Sequence, residues 1–166
     1  MAHQSPRRNL AALVSVLCLL LSTSALADDI GKGKSFGAGL GGGTATSGIT
    51  VKQYLGQSAA IQGFIGLNAG RGTSLGADYV MEFPDIASGE VGRLFWGVGL
   101  GAGLLLYADG GNSATVIGIS GVVELGWHFE RWPLELIADW RPTFWIGDFI
   151  GGLGVRGGTG AIRWYF

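Results

Sequence analysis

The chain has 166 residues with a formal net charge of −1, a balance that gives no reason to expect nucleic-acid binding. With 48% hydrophobic residues it is too apolar for a disordered segment, whose hallmark is low hydrophobicity. Its 32 glycines far exceed the average share of about 7%; each would penalise a helix by about 1 kcal/mol, which argues against an ordinary helical domain.

The first residues address a compartment. Arg7 and Arg8 precede an apolar run over residues 10–21, and the segment after it ends in Ala25-Leu26-Ala27. Basic, apolar and small-residue regions in that order predict a secretory signal peptide over residues 1–27, with Ala25 and Ala27 marking the cleavage site. The apolar run is shorter than the roughly 20 residues of a spanning helix. Cys18, the only cysteine, lies inside that run behind Leu17, where a lipoprotein signal would want a small residue. The mature chain is therefore expected to carry neither disulfide nor lipid anchor. Residues 28–34 read as a short lead-in and residues 35–166 as one domain.

Beyond Ala27 the recurring pattern is alternation at period two, the mark of half-buried strands. Residues 35–43 are nearly all glycine, with Phe36, Ala38 and Leu40 on one face. Residues 49–55 form a short strand that puts Lys52 on the polar face and Gln53 on the apolar one. Residues 59–68 place Ile61, Ile65 and Leu67 opposite Gln62 and Gly66, with Phe64 on the polar side. Residues 74–83 set Leu75, Tyr79 and Met81 against Asp78 and Glu82. Residues 94–106 set Leu94, Trp96, Val98 and Leu100 against the stripe Gly97, Gly99, Gly101 and Gly103. Residues 116–129 oppose Ile117, Ile119, Val123 and Leu125 to Glu124 and His128. Residues 134–143 oppose Leu134, Leu136 and Trp140 to Glu135, Asp139 and Arg141. Pro142 removes a ladder donor and so predicts a bulge or the end of that strand. Residues 159–166 oppose Ile162, Trp164 and Phe166 to Ala161, Arg163 and Tyr165. These are eight strands, and an even number closes an antiparallel barrel.

Which face looks inward separates two readings. In a soluble barrel or sandwich the apolar face is the core; in an outer-membrane barrel apolar side chains face lipid and polar ones fill the lumen. The polar faces here are mostly glycine and small residues, which suits an eight-stranded interior only just wide enough for side chains. Aromatic residues collect toward strand ends, Tyr54, Trp96, Trp132 and Phe166 at one end and Tyr107, Phe144, Trp145 and Phe149 at the other, as two membrane interfaces would select. The turns at residues 56–58 and 130–133 are short, as periplasmic turns are, whereas residues 84–93 make a longer connection. The expected fold is thus all-β, an eight-stranded antiparallel up-and-down transmembrane β-barrel after a cleaved signal peptide. A soluble periplasmic barrel holding an apolar ligand is the alternative.

The terminal Ile162-Arg163-Trp164-Tyr165-Phe166 resembles the C-terminal signature of outer-membrane barrels, and the whole mature chain resembles the small OmpA/OmpX-type barrels. That resemblance implies residence in the outer membrane of a Gram-negative cell, among lipids and lipopolysaccharide. It also implies that Ile162, Trp164 and Phe166 form a signal read by the barrel-assembly machinery. It implies nothing definite about activity or oligomeric state.

Several motifs bear on chemistry. Gly33-Lys34-Ser35 lacks the upstream glycine and the strand–helix context of a phosphate loop. Gly37, Gly39 and Gly42 satisfy a dinucleotide spacing but sit within a strand rather than at a strand-to-helix turn. One mature histidine and no mature cysteine cannot build a zinc site. Barrels resembling the lipid A 3-O-deacylase use a His-x-Ser pair, whereas His128 is followed by Phe129-Glu130, so no nucleophile stands beside a base. No enzymatic activity and no cofactor are expected, with a lipid-modifying enzyme kept only as a further alternative. By alternation Lys52, Asp78, Glu82, Glu124, His128, Glu135, Asp139, Arg141 and Arg163 point into the lumen. Buried charges must pair, so they are expected to form a plug rather than a pore. Arg156 reads either onto the lipid face near the rim or, through a local bulge, inward.

Overall fold

A computed structural model describes residues 35–44, 46–68, 72–109, 112–147 and 151–166. The expected signal peptide with Ala25 and Ala27, the lead-in and Phe149 lie outside the described residues. Among these residues there is no helix, and ten strand segments join into one closed sheet. They are β1 (Phe36–Gly43), β2 (Ser47–Tyr54), β3 (Ala59–Asn68), β4 (Gly72–Gly89), β5 (Gly92–Asp109), β6 (Asn112–Phe129), β7 (Leu134–Trp140), β8 (Thr143–Gly147), β9 (Gly152–Gly154) and β10 (Gly158–Tyr165). Consecutive strands pair antiparallel from β1 to β7, β10 pairs β7, and β1 pairs β10 from Gly37↔Tyr165 to Gly43↔Thr159. The last pairing closes the barrel, so that β1 to β7 and β10 each have a neighbour on both sides, while β9 pairs β8.

Eight strands result because the last two are each interrupted. β7 and β8 pair β6 in one register, Val123↔Trp140 and Ser120↔Thr143, so strand seven runs straight through Pro142. The Pro142 carbonyl still accepts from Gly121 N at 3.0 Å; only its own donor is missing. The irregularity lies across from it. Arg141 N donates to Gly157 O, Trp140 pairs Gly158, and Thr143 pairs Gly154. Val155 and Arg156 therefore both stand opposite Pro142, a bulge in strand eight.

The connection read over residues 84–93 is mostly strand. β4 and β5 form a long hairpin turning at Glu90–Val91, with a register shift between Phe83 and Ala87. Pro84 falls in that bulge, where no regular ladder partner is demanded of it. Likewise the gap between the segments read over residues 94–106 and 116–129 contracts, since Asp109 pairs Asn112. Polar side chains do not stop backbone pairing, so strand ends run past the alternating segment.

Sidedness is unambiguous. Leu100 is 72% exposed and Ile119 54%, whereas Glu124 is 2% and Asp139 9% exposed. Leu40, Ile49, Ile65, Leu75, Leu136 and Ile162 likewise look out, so every strand presents aliphatic side chains on its outer surface. The core is the polar lumen.

Register explains the glycine. Large inward side chains stand directly across the ladder from inward glycines: Tyr165 and Lys52 flank Gly37, Phe64 faces Gly76, Asp78 faces Gly101, Glu82 and Glu124 flank Gly97, and Phe95 faces Gly126. A narrow barrel has room for one long side chain per pair, and glycine cedes the space. At Gly126 an added Cβ would lie within 2.9 Å of Phe95 Cε2 and nearer still to other atoms of that ring. Gly126→Val is expected to destabilise by about 1–3 kcal/mol through overpacking, read as a lower urea midpoint; Gly56→Ala, with nothing within 4 Å of its Cβ position, should leave the midpoint unchanged. Equal midpoints for both would refute this account of the glycines.

Candidate functional site

The lumen has two halves, defined by the rim nearer Phe166 and the opposite rim. Near the C-terminal rim, Lys52 from β2 sits fully buried among carboxylates from three other strands. Its Nζ pairs with Glu82 Oε1 of β4, lies 3.1 Å from Glu135 Oε2 of β7, and is 3.8 Å from Glu124 Oε1 of β6. It is also 5.3 Å from the ring centroids of Tyr54 and of Phe95, so the cation is met by π-faces where no carboxylate reaches.

Glu135 is the best-satisfied acid. It accepts from Lys52 Nζ, from Arg163 Nη1 at 2.7 Å and from Tyr165 Oη at 2.9 Å. Tyr54 Oη donates to Glu82 Oε2 at 2.8 Å and lies 3.0 Å from His128 Nε2, which is itself 3.3 Å from Glu135 Oε2. Nε2 thus stands within reach of both oxygens. The His128 ring stacks on Phe95 at 4.5 Å between centroids. Glu124 is held more loosely, accepting from Gln62 Nε2 at 3.3 Å.

Arg163 crosses from this cluster to the other half. Its Nε and Nη2 donate to Thr50 Oγ1 at 3.1 and 3.0 Å, and Nη2 donates to Gln62 Oε1 at 2.8 Å. Above it Arg141 clamps two aspartates: Nε to Asp139 Oδ1 and Nη1 to Asp78 Oδ2, each at 2.8 Å. Thr159 Oγ1 donates to Asp139 Oδ2 at 2.6 Å, and Arg141 lies 5.4 Å from the Phe64 ring centroid.

The nine side chains read as lumenal by alternation all stand inside, joined into these two clusters. Position near a strand end placed aromatic residues less well than alternation did. Tyr54, assigned to an aromatic girdle, is buried in the Lys52 cluster; it shares the parity of Lys52, which outweighs its position near a strand end. Trp145, assigned to the opposite girdle, lines the lumen, because strand seven keeps its parity through Pro142. Arg156 also lines the lumen, turned there by the bulge at Val155–Arg156. Thr50, Gln62, Phe95 and Tyr165 complete the network, and parity is the signal that places them inside. Ile162, Trp164 and Phe166 lie exposed on the outer surface at the C-terminal rim.

Five carboxyl groups, Asp78, Glu82, Glu124, Glu135 and Asp139, thus face three paired cations, Lys52, Arg141 and Arg163. Fully buried side chains of Lys52, Glu82 and Glu135 fill the section near the C-terminal rim. The opposite half is different. A well of about 320 Å³ reaches from Arg163, Gln62 and Asp78 at its floor to Thr44, Trp145 and Arg156 at the rim. Tyr54, His128 and Glu82 do not line it, so the phenol–imidazole pair is beyond reach of anything held there. No group of three or more metal-ligating side chains able to hold an ion occurs among the described residues. Comparison of the chain with family models, with curated proteins and with solved structures finds no match in any of the three.

Proposed function

We propose that the chain is an integral outer-membrane β-barrel protein whose lumen is closed by an ionic plug, a structural component rather than a large pore or an enzyme. One observation carries the reading: the barrel is inside out by the standard of water. A belt of aliphatic side chains surrounds it on every strand, while the charges are sealed within. Soluble monomers rarely expose contiguous apolar patches beyond a few hundred Å², and lipid is the solvent that such a belt fits. The secretory pattern around Ala25 and Ala27 supports export, and the small OmpA/OmpX-type barrels supply the analogy for the outer membrane, lipopolysaccharide and the barrel-assembly machinery. The buried Lys52 cluster supports closure, since three carboxylates converge on it where a conducting path would run.

Fractionation and labelling of single-cysteine variants test this directly. The protein should stay in the membrane pellet through carbonate extraction and migrate faster on gels unheated than boiled. Ser113→Cys should react with an impermeant maleimide on intact cells, whereas Gln57→Cys, at the other rim, should react only after lysis. Release by carbonate would end the membrane reading; the reverse labelling pattern would invert the topology.

A further inference from the structure

The well in the half of the lumen away from Phe166 is not explained by the plug. The same sequence packs the other half with fully buried side chains, yet here it lines a space of about 320 Å³ with Gly41, Gly103, Gly118 and Gly154. That volume is at the small end of the range of small-molecule sites. Its polar walls are mostly spoken for. The hydroxyls of Thr46 and Ser74 bond each other, those of Ser120 and Thr143 lie 2.9 Å apart, and Thr159 donates to Asp139. Arg141 is neutralised by Asp78 and Asp139. What the wall offers a guest is mainly apolar: Phe64, Leu105 and Trp145. The exception is Arg156 at the rim, which lines the well and has no ion pair among the described residues.

We propose that the well binds a small amphipathic carboxylate, its chain lying among Phe64, Leu105 and Trp145 and its carboxylate meeting the Arg156 guanidinium. An apolar chain costs the satisfied hydroxyls nothing, and a guanidinium donates to a carboxylate in bidentate geometry. This assignment concerns the interior alone and does not rest on the medium outside the barrel.

Titration of isotope-labelled full-length protein in lipid nanodiscs with sodium octanoate, 1-octanol and sodium acetate tests it. Octanoate should shift the Trp145 indole signal saturably, while Trp140 and Trp164, on the outer surface, drift only as octanoate enters lipid. Arg156→Gln should weaken octanoate about tenfold, the scale of one charge-assisted hydrogen bond, and leave 1-octanol unchanged. Ala161→Phe, which intrudes on the well from β10, should abolish both. The proposal fails if Trp145 responds no more saturably than Trp140, or if Arg156→Gln weakens octanol as much as octanoate. It also fails if acetate binds as well as octanoate, which would indicate an adventitious anion at the rim. Arg156 is exposed and outside the plug, so its variant retains the fold and keeps the test open should Ala161→Phe not fold.

Discussion

Replacing Lys52 with methionine is expected to lower the unfolding free energy of the barrel by about 3–5 kcal/mol, the loss usual when one partner of a buried ion pair is removed. The side chain is fully buried and lies between two aromatic rings while meeting Glu82, Glu124 and Glu135. Without the ammonium, Glu82 is left with the Tyr54 hydroxyl as its neutral donor, and Glu124 with the Gln62 amide. Glu135 fares better, because Arg163 and Tyr165 remain. The penalty is therefore that of stranded charge, and adding Glu82→Gln to Lys52→Met should return a large part of it. Glu124→Gln alone should change stability by no more than about 1 kcal/mol, since its bonds are long and the interior already holds more carboxylates than cations. Equilibrium urea unfolding in lipid vesicles reads all three. A Lys52→Met barrel as stable as the parent would mean that the cluster is hydrated rather than sealed.

How far such a network is legible beforehand depends on parity. Within an unbroken strand, one inward residue settles all others of the same parity. Lys52, Asp78, Glu82, Glu124, Glu135 and Asp139 follow from it because each lies in a segment with aliphatic neighbours on alternate positions. Parity sets Tyr165 on the inward face, two residues from Arg163, and would equally have delivered Tyr54, two residues from Lys52. The aromatic character of Tyr54 near a strand end argued for an interface instead, and packing against the cluster prevailed. Where a bulge intervenes, parity resets without a sign in the sequence. Arg156 is the clearest case: whether it faces inward is decided by one extra residue opposite Pro142. The inverse holds at Pro142 itself, where a proline expected to disturb strand seven leaves its register against β6 intact.

A second class of information is absent from any single strand. Phe95 can lie across the lumen and stack on His128 only because Gly126 stands opposite it. That pairing is a property of register between β5 and β6. The glycine stripe of β5 was visible as composition; its purpose, making room for Asp78, Glu82 and Glu124 on the flanking strands, emerges only once the strands are aligned. The same limit hid the well, since no residue announces an empty volume.

Leu100→Arg is expected to cost about 2–4 kcal/mol when the barrel folds into a bilayer, the depth-dependent penalty for a cation on a lipid-facing surface near the midplane. Leu100 lies near the middle of β5, paired to Tyr79 on one side and Gly121 on the other, and is 72% exposed. Nothing inside the barrel contacts its side chain in the way the plug residues contact one another, so its replacement disturbs no packing that would mask the effect. On a surface facing water the same change should stay within about 0.5 kcal/mol. Val91→Arg supplies the control, because Val91 is equally exposed at 66% but sits at the tip of the β4–β5 hairpin, beyond the aliphatic belt. Urea titrations of folding into vesicles should therefore separate the two variants by at least about 2 kcal/mol. If both match the parent, the aliphatic belt is facing something other than hydrocarbon, and the inverted sidedness of the barrel would need a different solvent to explain it.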